Sequence, residues 1–336
     1  MYPIPHSKPY LDKKDIESVR QTILSKNIAN NGKSQEFKNL LSKYLHKEYV
    51  ELYSSGTTAF YEILLALEIK QDDEILIPAY ICESVYKAVK KSKAKPVFYD
   101  NDENYPWITS YKQIEKKLSY NTKAILINHT FGIQYSIEEI LKIKSIGKIL
   151  IEDCAHFIPN KEKDRKISNI FDISFYSFNA TKLLTTGEGG AIATNNKELF
   201  SKIIENKIDP GMPDLNCSLG ISQIKKLPFF LEKREEIANI YLEKLETSMT
   251  KEIKKYESIY FRFPIIVKDQ EKFLSSKRVC YRKGVDTLLH KKYEKSTELK
   301  NVENIFKKTI SIPIYPSLTK KEIKIIIEET LRIYGS

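Results

Sequence analysis

The sequence predicts an α/β protein with a large domain built on a mostly parallel sheet and a smaller C-terminal α+β domain. Between about Glu51 and Thr194, short apolar runs alternate with helical patterns, which is typical of a parallel sheet with helices on both faces. A long helical stretch then leads to a shorter block of strand and helix patterns. With 336 residues and 41% hydrophobic content, the chain is long enough to bury a large core.

Six apolar runs are predicted to be strands of the large sheet. They are residues 74–77, 96–99, 124–128, 149–152, 173–177 and 191–194. Helices are predicted over 58–67 and 136–146, because the apolar side chains there repeat at helical spacing.

The second block begins with a helical pattern over residues 218–246, interrupted near Pro228, which we interpret as a connector between domains. Strands are predicted over 260–267 and 309–314, with a helix from about Gln270 between them. A final helix follows, with Thr319 as its N-cap. We therefore predict a large domain over residues 1–230 and a connector helix with a small domain over 231–336.

Composition excludes several classes of function. The net charge of +11 suits anionic ligands, but the lysines are scattered, so we expect no nucleic-acid partner. The four cysteines lie far apart without a CxxC pair, so neither a metal site nor a disulfide framework is predicted. There is no signal-peptide pattern and no apolar run of about 20 residues, so we expect a cytoplasmic protein without a membrane span.

A phosphate-sized site is predicted where Ser54-Ser55-Gly56-Thr57 precedes a helix. The N-terminus of a helix offers free N–H donors and the positive end of its dipole. Gly56 lets the backbone approach a ligand closely, and Thr57 adds a hydroxyl group. The alternative interpretation is an ordinary helix cap.

Asp153 and Lys182 follow two predicted strands of the same sheet. Ligands of open α/β sheets bind outside the carboxyl ends of strands, where Asp153 could pair with a protonated ring nitrogen. Lys182 could form a Schiff base with an aldehyde cofactor. The alternatives are a helix-capping aspartate and a surface lysine. The spacing between the two residues allows both to reach the same rim of the sheet.

Two further features accompany this pair. Gly187-Glu188-Gly189-Gly190 predicts a tight turn beside a ligand, although a simple β-turn is the alternative. His156 would face the same pocket if a helical turn begins after Asp153, and otherwise it is a structural histidine. A phosphate nest, a carboxylate and a nucleophilic amine, in this order along the chain, meet the requirements for holding pyridoxal phosphate (PLP).

Taken in order, these segments resemble the DegT/DnrJ/EryC1/StrS family of sugar aminotransferases, which are PLP enzymes of fold type I. The resemblance covers nearly the whole chain, and residues 175–182 with 185–190 are its most specific part. The other segments that carry it are residues 55–59, 77–80, 95–100, 151–156 and 311–319.

The resemblance implies a role for each site residue. Lys182 would carry the cofactor as an internal aldimine and then move protons as a general base and acid. Asp153 would hold the pyridine nitrogen protonated, and the cofactor phosphate would be bound by Gly56, Thr57 and Ser177.

Three positions differ from the usual family pattern. His156 occupies the place of a residue, usually Gln, that touches the cofactor or substrate. Cys82 stands where a Phe or Trp usually stacks on the cofactor ring, with Tyr80 nearby. Asp209-Pro210-Gly211-Met212 replaces an Asn-x-Arg-Met motif, whose Asn contacts the phosphate from a neighbouring subunit.

The implied reaction is transfer of an amino group, usually from glutamate, to a keto group of a nucleotide-linked sugar by ping-pong chemistry. The implied assembly is a homodimer with sites at the interface, and the implied pathway is polysaccharide or glycan biosynthesis. The alternatives are a PLP-dependent sugar dehydratase, an aminotransferase for a non-nucleotide keto substrate, and a non-catalytic regulatory protein. Lys182 argues against dehydratases that carry His at this position.

Overall fold

The structure is a computed structural model that describes residues 2–29, 32–294 and 298–335. The strands are Tyr49–Tyr53 (β1), Glu74–Pro78 (β2), Lys95–Tyr99 (β3), Thr122–Asn128 (β4), Ile149–Asp153 (β5), Ile173–Ser177 (β6), Gly190–Thr194 (β7), Phe263–Ile266 (β8) and Thr309–Ile312 (β9). The first helices are Lys13–Leu24 (α1), Lys33–Leu45 (α2), Gly56–Ala66 (α3), Glu83–Lys91 (α4), Tyr111–Glu115 (α5), Ile137–Lys144 (α6), Glu162–Ser168 (α7) and Lys197–Glu205 (α8). The remaining helices are Asp214–Ile224 (α9), Leu227–Lys244 (α10), Thr247–Thr250 (α11), Gln270–Leu274 (α12), Leu289–Tyr293 (α13), Lys300–Phe306 (α14) and Lys320–Gly335 (α15).

Strands β1 to β7 form one sheet in the order β1-β7-β6-β5-β4-β2-β3. Neighbouring strands from β6 to β3 run parallel, whereas β7 is antiparallel to both β1 and β6. The mostly parallel sheet is therefore confirmed, and all six predicted strands are present as β2 to β7. Strand β1, at the sheet edge, was not predicted.

The sheet separates two apolar cores, because alternate side chains of each strand point to opposite faces. Ile75, Leu126 and Ile151 pack on the face that α3 covers. Their strand neighbours Leu76, Ile125 and Leu150 belong to a second cluster, which includes apolar side chains of α6. Burial on both faces explains why these strands are continuous apolar runs in the sequence.

The starts of the predicted helices are set by local capping residues. Helix α3 begins after Ser55, whose Oγ accepts a hydrogen bond from the Thr58 N–H at 3.1 Å. The predicted connector divides into α9 and α10, and Pro228 lies in the first turn of α10, where a missing N–H is tolerated. The interruption near Pro228 is therefore confirmed.

The C-terminal block contains the two-stranded antiparallel sheet β8–β9 and the final helix α15. Thr319 Oγ1 accepts from the Glu322 N–H at 3.2 Å, and the Glu322 carboxylate accepts from the Thr319 N–H at 2.8 Å. This reciprocal capping box confirms the predicted start of the helix. Among the described residues, none of the helices combines the length and the apolar composition that a membrane span requires.

Candidate active site

The candidate site lies at the carboxyl ends of three neighbouring strands. Asp153 is the last residue of β5 and pairs with Asn128 at the end of β4, while Ser177 ends β6. Two cavities open there. One, of about 300 Å³, borders the start of α3, and the other, of about 240 Å³, borders the C-terminal block. Asp153, Lys182 and Cys82 line both cavities, so they lie between them.

Close backbone packing shapes the first cavity, which we call the α3 cavity. A Cβ atom on Gly190 would lie 2.5 Å from the Gly56 nitrogen, and one on Gly56 would lie 2.8 Å from the Ser177 Cβ. Such contacts are too short for any side chain. The two glycines therefore bring the end of β6, the start of β7 and the start of α3 into direct contact.

The predicted phosphate residues meet in the α3 cavity. Gly56, Thr57 and Ser177 all line it, together with Ser55. The alternative interpretation of an ordinary cap also describes part of this segment, because the Ser55 side chain caps α3. The first N–H groups of a helix have no partner within the helix, so those of Gly56 and Thr57 stay available for an anion.

Asp153 is buried, with 4% of its surface exposed. One carboxylate oxygen accepts a hydrogen bond from the Ala155 N–H at 2.8 Å, and the other has no hydrogen bond from the described residues. Burial raises the pKa of Asp153 to about 6, although Lys182 and His129 oppose the shift. The carboxylate thus lacks a close cationic partner, and a protonated ring nitrogen would supply one.

Lys182 lies in a turn after β6, held by a hydrogen bond from its backbone N–H to the Asn179 carbonyl at 2.9 Å. Its side chain is half-buried, and Nζ forms no hydrogen bond or ion pair with the described residues. Burial lowers the pKa of Lys182, although the carboxylate of Asp153 opposes this. A larger fraction of the amine is therefore neutral and nucleophilic than in a surface lysine.

His156 lines the second cavity beside Asp153 and Lys182, as the sequence predicts. Its ring stacks on Phe261 with a centroid distance of 4.2 Å. Burial, with the positive charges of Lys182 and Arg262, holds the pKa of His156 well below its usual value. The imidazole is therefore neutral at physiological pH and can act as a hydrogen-bond partner rather than as a cation.

Cys82 is the exposed N-cap of α4, and its Sγ lies 2.9 Å from the Ser84 Oγ. Tyr80 does not take the place of the missing aromatic ring over the α3 cavity. It is buried, and its ring packs edge-on against Phe131 and Phe306. The cavity wall at this position is consequently a small thiol.

Asp209 lies directly beside the phosphate nest within the same chain. One carboxylate oxygen accepts from the Ser54 N–H at 3.2 Å, and the other accepts from the Ser54 hydroxyl. The first oxygen also accepts from the Gly211 N–H at 2.7 Å. The carboxylate is thus used to hold the loop in front of α3, where an Asn-x-Arg-Met motif would stand in the usual pattern.

The glycine-rich turn forms as predicted, and Gly187 adopts a positive φ of 82°. The second cavity also contains two arginines that the sequence does not predict for the site, Arg262 and Arg282. A signal for Arg262 was available, because it interrupts the apolar run of residues 259–267 with a charge. Nothing comparable distinguishes Arg282, which lies among other basic residues.

Comparisons with known proteins agree with this geometry. The model of the DegT/DnrJ/EryC1/StrS aminotransferase family matches residues 9–331. The chain is 29% identical to GDP-perosamine synthase of Escherichia coli O157:H7 over 99% of both chains. PseC of Helicobacter pylori, an aminotransferase involved in the biosynthesis of pseudoaminic acid, superposes with a TM-score of 0.89 at 23% identity over 99% of both chains. NtdA of Bacillus subtilis, solved with its cofactor PMP, has a TM-score of 0.82 at 24% identity, covering 97% of this chain and 83% of its own.

Proposed function

Because the chain belongs to the DegT/DnrJ/EryC1/StrS aminotransferase family, we propose that it transfers an amino group to a keto group of a nucleotide-linked sugar, with PLP as cofactor. One observation carries this proposal. An unpaired lysine, a buried carboxylate without a close cationic partner and a helix N-terminus border one cavity. These groups match the aldehyde, ring nitrogen and phosphate of PLP.

Each residue then has a defined task. Gly56, Thr57 and Ser177 bind the phosphate through backbone N–H and hydroxyl groups. Asp153 keeps a proton on the ring nitrogen, because its carboxylate is stabilised by that positive charge. PLP supplies an aldehyde that accepts amino groups and a ring that withdraws electrons from the reacting carbon.

Lys182 has two tasks, one before a substrate binds and one during amino transfer. Its neutral amine would hold the cofactor through the aldehyde carbon. The same amine, when free, would accept and donate the proton that moves during amino transfer, and its lowered pKa suits it to both. His156 is a neutral contact for the cofactor or substrate. Cys82 lines both cavities.

The substrate assignment rests on the relatives. The E. coli relative is named a GDP-perosamine synthase, and the H. pylori protein acts in pseudoaminic acid biosynthesis. For this chain we propose a nucleotide keto-sugar as acceptor, an amino acid such as glutamate as donor and ping-pong turnover. The product would serve polysaccharide or glycan biosynthesis in the cytoplasm, and the working unit would be a homodimer with sites at the interface.

The test is reconstitution of the purified protein with PLP. We expect a visible absorbance band that L-glutamate bleaches and that a nucleotide keto-sugar, drawn from a panel of GDP- and UDP-linked compounds, restores. Lys182→Ala should abolish the band, whereas Lys197→Ala, which changes an exposed lysine, should leave it unchanged. A band that no amino donor bleaches would contradict the transferase and favour a dehydratase or a non-catalytic protein.

A further inference from the structure

The wall of the second cavity that faces Lys182 is formed by the C-terminal block and carries two arginines. Arg262 immediately precedes β8, and Arg282 lies after α12. Both line the cavity together with Lys182 and His156. We call Arg262 and Arg282 the arginine pair. The proposed function gives neither of them a task.

The guanidinium of Arg262 has hydrogen-bond donors that the described residues do not use. Its Nη1 donates to the Gly284 carbonyl at 3.1 Å and, at 3.4 Å, to the Lys283 carbonyl. Its Nε and Nη2 form no hydrogen bond with the described residues. Neither atom is among the fully buried side-chain atoms without a partner. A guanidinium with two free donors can bind a carboxylate through two parallel hydrogen bonds.

No carboxylate neutralises the arginine pair within the part of the chain that the structure describes. None lies within ion-pairing distance of either arginine, and the charge of Asp286 on the same wall acts on Arg262 less strongly than that of Arg282. Burial and the charge of Arg282 lower the pKa of Arg262 to about 10. A largely buried cation beside a second cation costs stability unless an anion joins them.

The fold holds the segment of Arg262 firmly. Arg234 of α10 is buried, and its Nη1 donates to the carbonyls of Tyr260, Phe261 and Ile314 at 3.1, 3.0 and 2.8 Å. The backbone N–H of Arg262 donates to the Phe131 carbonyl at 3.2 Å. This bracing fixes where Arg262 presents its guanidinium.

Arg282 is placed through its backbone alone. Its N–H and carbonyl exchange hydrogen bonds with Ser311 of β9 at 3.2 and 2.8 Å. Its side chain is exposed and forms no hydrogen bond with the described residues. A substitution that removes the charge of this exposed side chain, such as Arg282→Gln, should therefore leave the fold intact.

We propose that the arginine pair binds a carboxylate of the amino-acid donor. This rests on the proposed function, because it assigns the donor subsite of the same catalytic cavity. The α-carboxylate of an amino acid is attached to the carbon that bears the amine, so it must lie close to Lys182 when the amine reacts. Lys182 Nζ and Arg262 Cζ lie 5.4 and 5.6 Å from the same Phe261 ring centroid, which puts the arginine in that neighbourhood.

The diphosphate of a nucleotide sugar fits this wall less well. A sugar ring separates it from the carbon that reacts, so it lies farther from Lys182 than a donor carboxylate does. The second cavity of about 240 Å³ must also receive donor and acceptor in turn. An anion-binding subsite beside Lys182 therefore suits the carboxylate of the small amino-acid donor better than the diphosphate.

The test compares Arg262→Gln and Arg282→Gln with Arg278→Gln, which removes an exposed arginine that pairs with Glu329 outside the cavity. Each PLP-loaded variant is titrated with L-glutamate in the absence of acceptor, and bleaching of the visible band is followed. We expect the half-saturating glutamate concentration to rise roughly 30-fold in Arg262→Gln and about fivefold in Arg282→Gln. Arg278→Gln should match the wild type.

A binding measurement separates the two possible anions without turnover. Calorimetry with glutarate, a dicarboxylate that has no amine, should show weakened binding in both cavity variants. UDP and GDP should bind with wild-type affinity. Weakened nucleotide binding with unchanged glutarate binding would overturn the proposal and assign the arginines to the acceptor diphosphate.

The outcomes also separate this proposal from the proposed function. A wild-type protein that fails to load PLP, or is not bleached by glutamate, contradicts the function itself. Normal wild-type bleaching with unchanged half-saturation in both variants contradicts only the donor subsite. If Arg262→Gln fails to load PLP because its loop is disturbed, Arg282→Gln decides, since the Arg282 side chain is exposed and forms no hydrogen bond with the described residues.

Discussion

Asp153 and Lys182 show how burial prepares two opposite charges for one ligand. Burial raises the pKa of Asp153 to about 6 and lowers the pKa of Lys182, so in both residues it disfavours the charged form. The two residues therefore stabilise each other incompletely without a ligand. A protonated ring nitrogen next to Asp153 and an aldehyde next to Lys182 would satisfy both.

Asp153→Asn should stabilise the PLP-free protein at pH 8. The folded-state pKa of about 6 lies above the ordinary value of 3.8, so the stability that the wild type gains from this group is fully present below about pH 4 and is lost as pH rises through 6. A neutral amide avoids this loss, which is worth about 3 kcal/mol. Chemical denaturation at pH 8 and pH 4 should show a gain that disappears at low pH, while affinity for PLP falls.

The control for this prediction is Asp286→Asn, which changes an exposed carboxylate of the second cavity. Its free energy of unfolding should equal that of the wild type at both pH values. A lower stability of Asp153→Asn at pH 8 would mean that the carboxylate is already well paired in the PLP-free protein.

At the residue scale, the sequence identifies the groups that belong to short motifs. Asp153, Lys182 and Ser177 follow apolar strands, and that position alone predicts a common rim. The arginine pair was missed because its members join the site only through long-range packing. Arg262 is held at the cavity by its own hydrogen bond to Phe131 and by the bond from Arg234 to the neighbouring Phe261, which no local pattern encodes.

At the element scale, the start of α3 depends on its contact with β7. A Cβ on Gly190 would lie 2.4 Å from the Ser55 carbonyl carbon, so β7 and the start of α3 would have to move apart. The phosphate nest is therefore a property of this close approach as well as of the helix. Any side chain at Gly190 should move the Gly56 N–H.

Gly190→Ala should weaken PLP binding at least about tenfold and destabilise the protein by roughly 1–3 kcal/mol, because overpacking shifts the backbone. Gly335→Ala is the matched control, since a Cβ there meets no atom within 4 Å. Fluorescence titration with PLP and thermal unfolding measure the two effects. Wild-type affinity in Gly190→Ala would contradict the placement of the phosphate at this junction.

The sequence predicts β2 to β7 because buried parallel strands are continuous apolar runs. It fails for β1, whose central Glu51 resembles a surface residue. In the structure, Glu51 pairs with Lys38 and Lys207, so its charge is satisfied at the sheet edge. The early helices α1 and α2 were also missed, because many of their positions are polar and only a narrow face is buried.

At the scale of the whole molecule, the order of elements predicts the α/β class, and the structure confirms it. The domain boundary between residues 230 and 231 stays a prediction. It falls inside the continuous helix α10. Apolar side chains such as Ile16 and Leu24 of α1 are more than half exposed in the single chain. A protein surface of this kind is often covered by another subunit.

The protein should therefore sediment as a homodimer of twice its 39.1 kDa mass. Sedimentation velocity of the PLP-loaded protein measures this directly. Ile16→Lys should shift the protein towards monomer if α1 lies in the interface, whereas Tyr120→Lys changes an isolated exposed ring and should not. A wild-type monomer with full PLP occupancy would contradict sites shared between subunits.

The most direct test of the central claim is to find the residue that holds the cofactor. Borohydride reduction of the PLP-loaded protein fixes the cofactor to its lysine, and peptide mass spectrometry then locates it. We predict a phosphopyridoxyl group on Lys182 alone, lost when glutamate is added before reduction. Labelling of other lysines with Lys182 unmodified, or labelling that glutamate does not prevent, would contradict an aminotransferase built around Lys182.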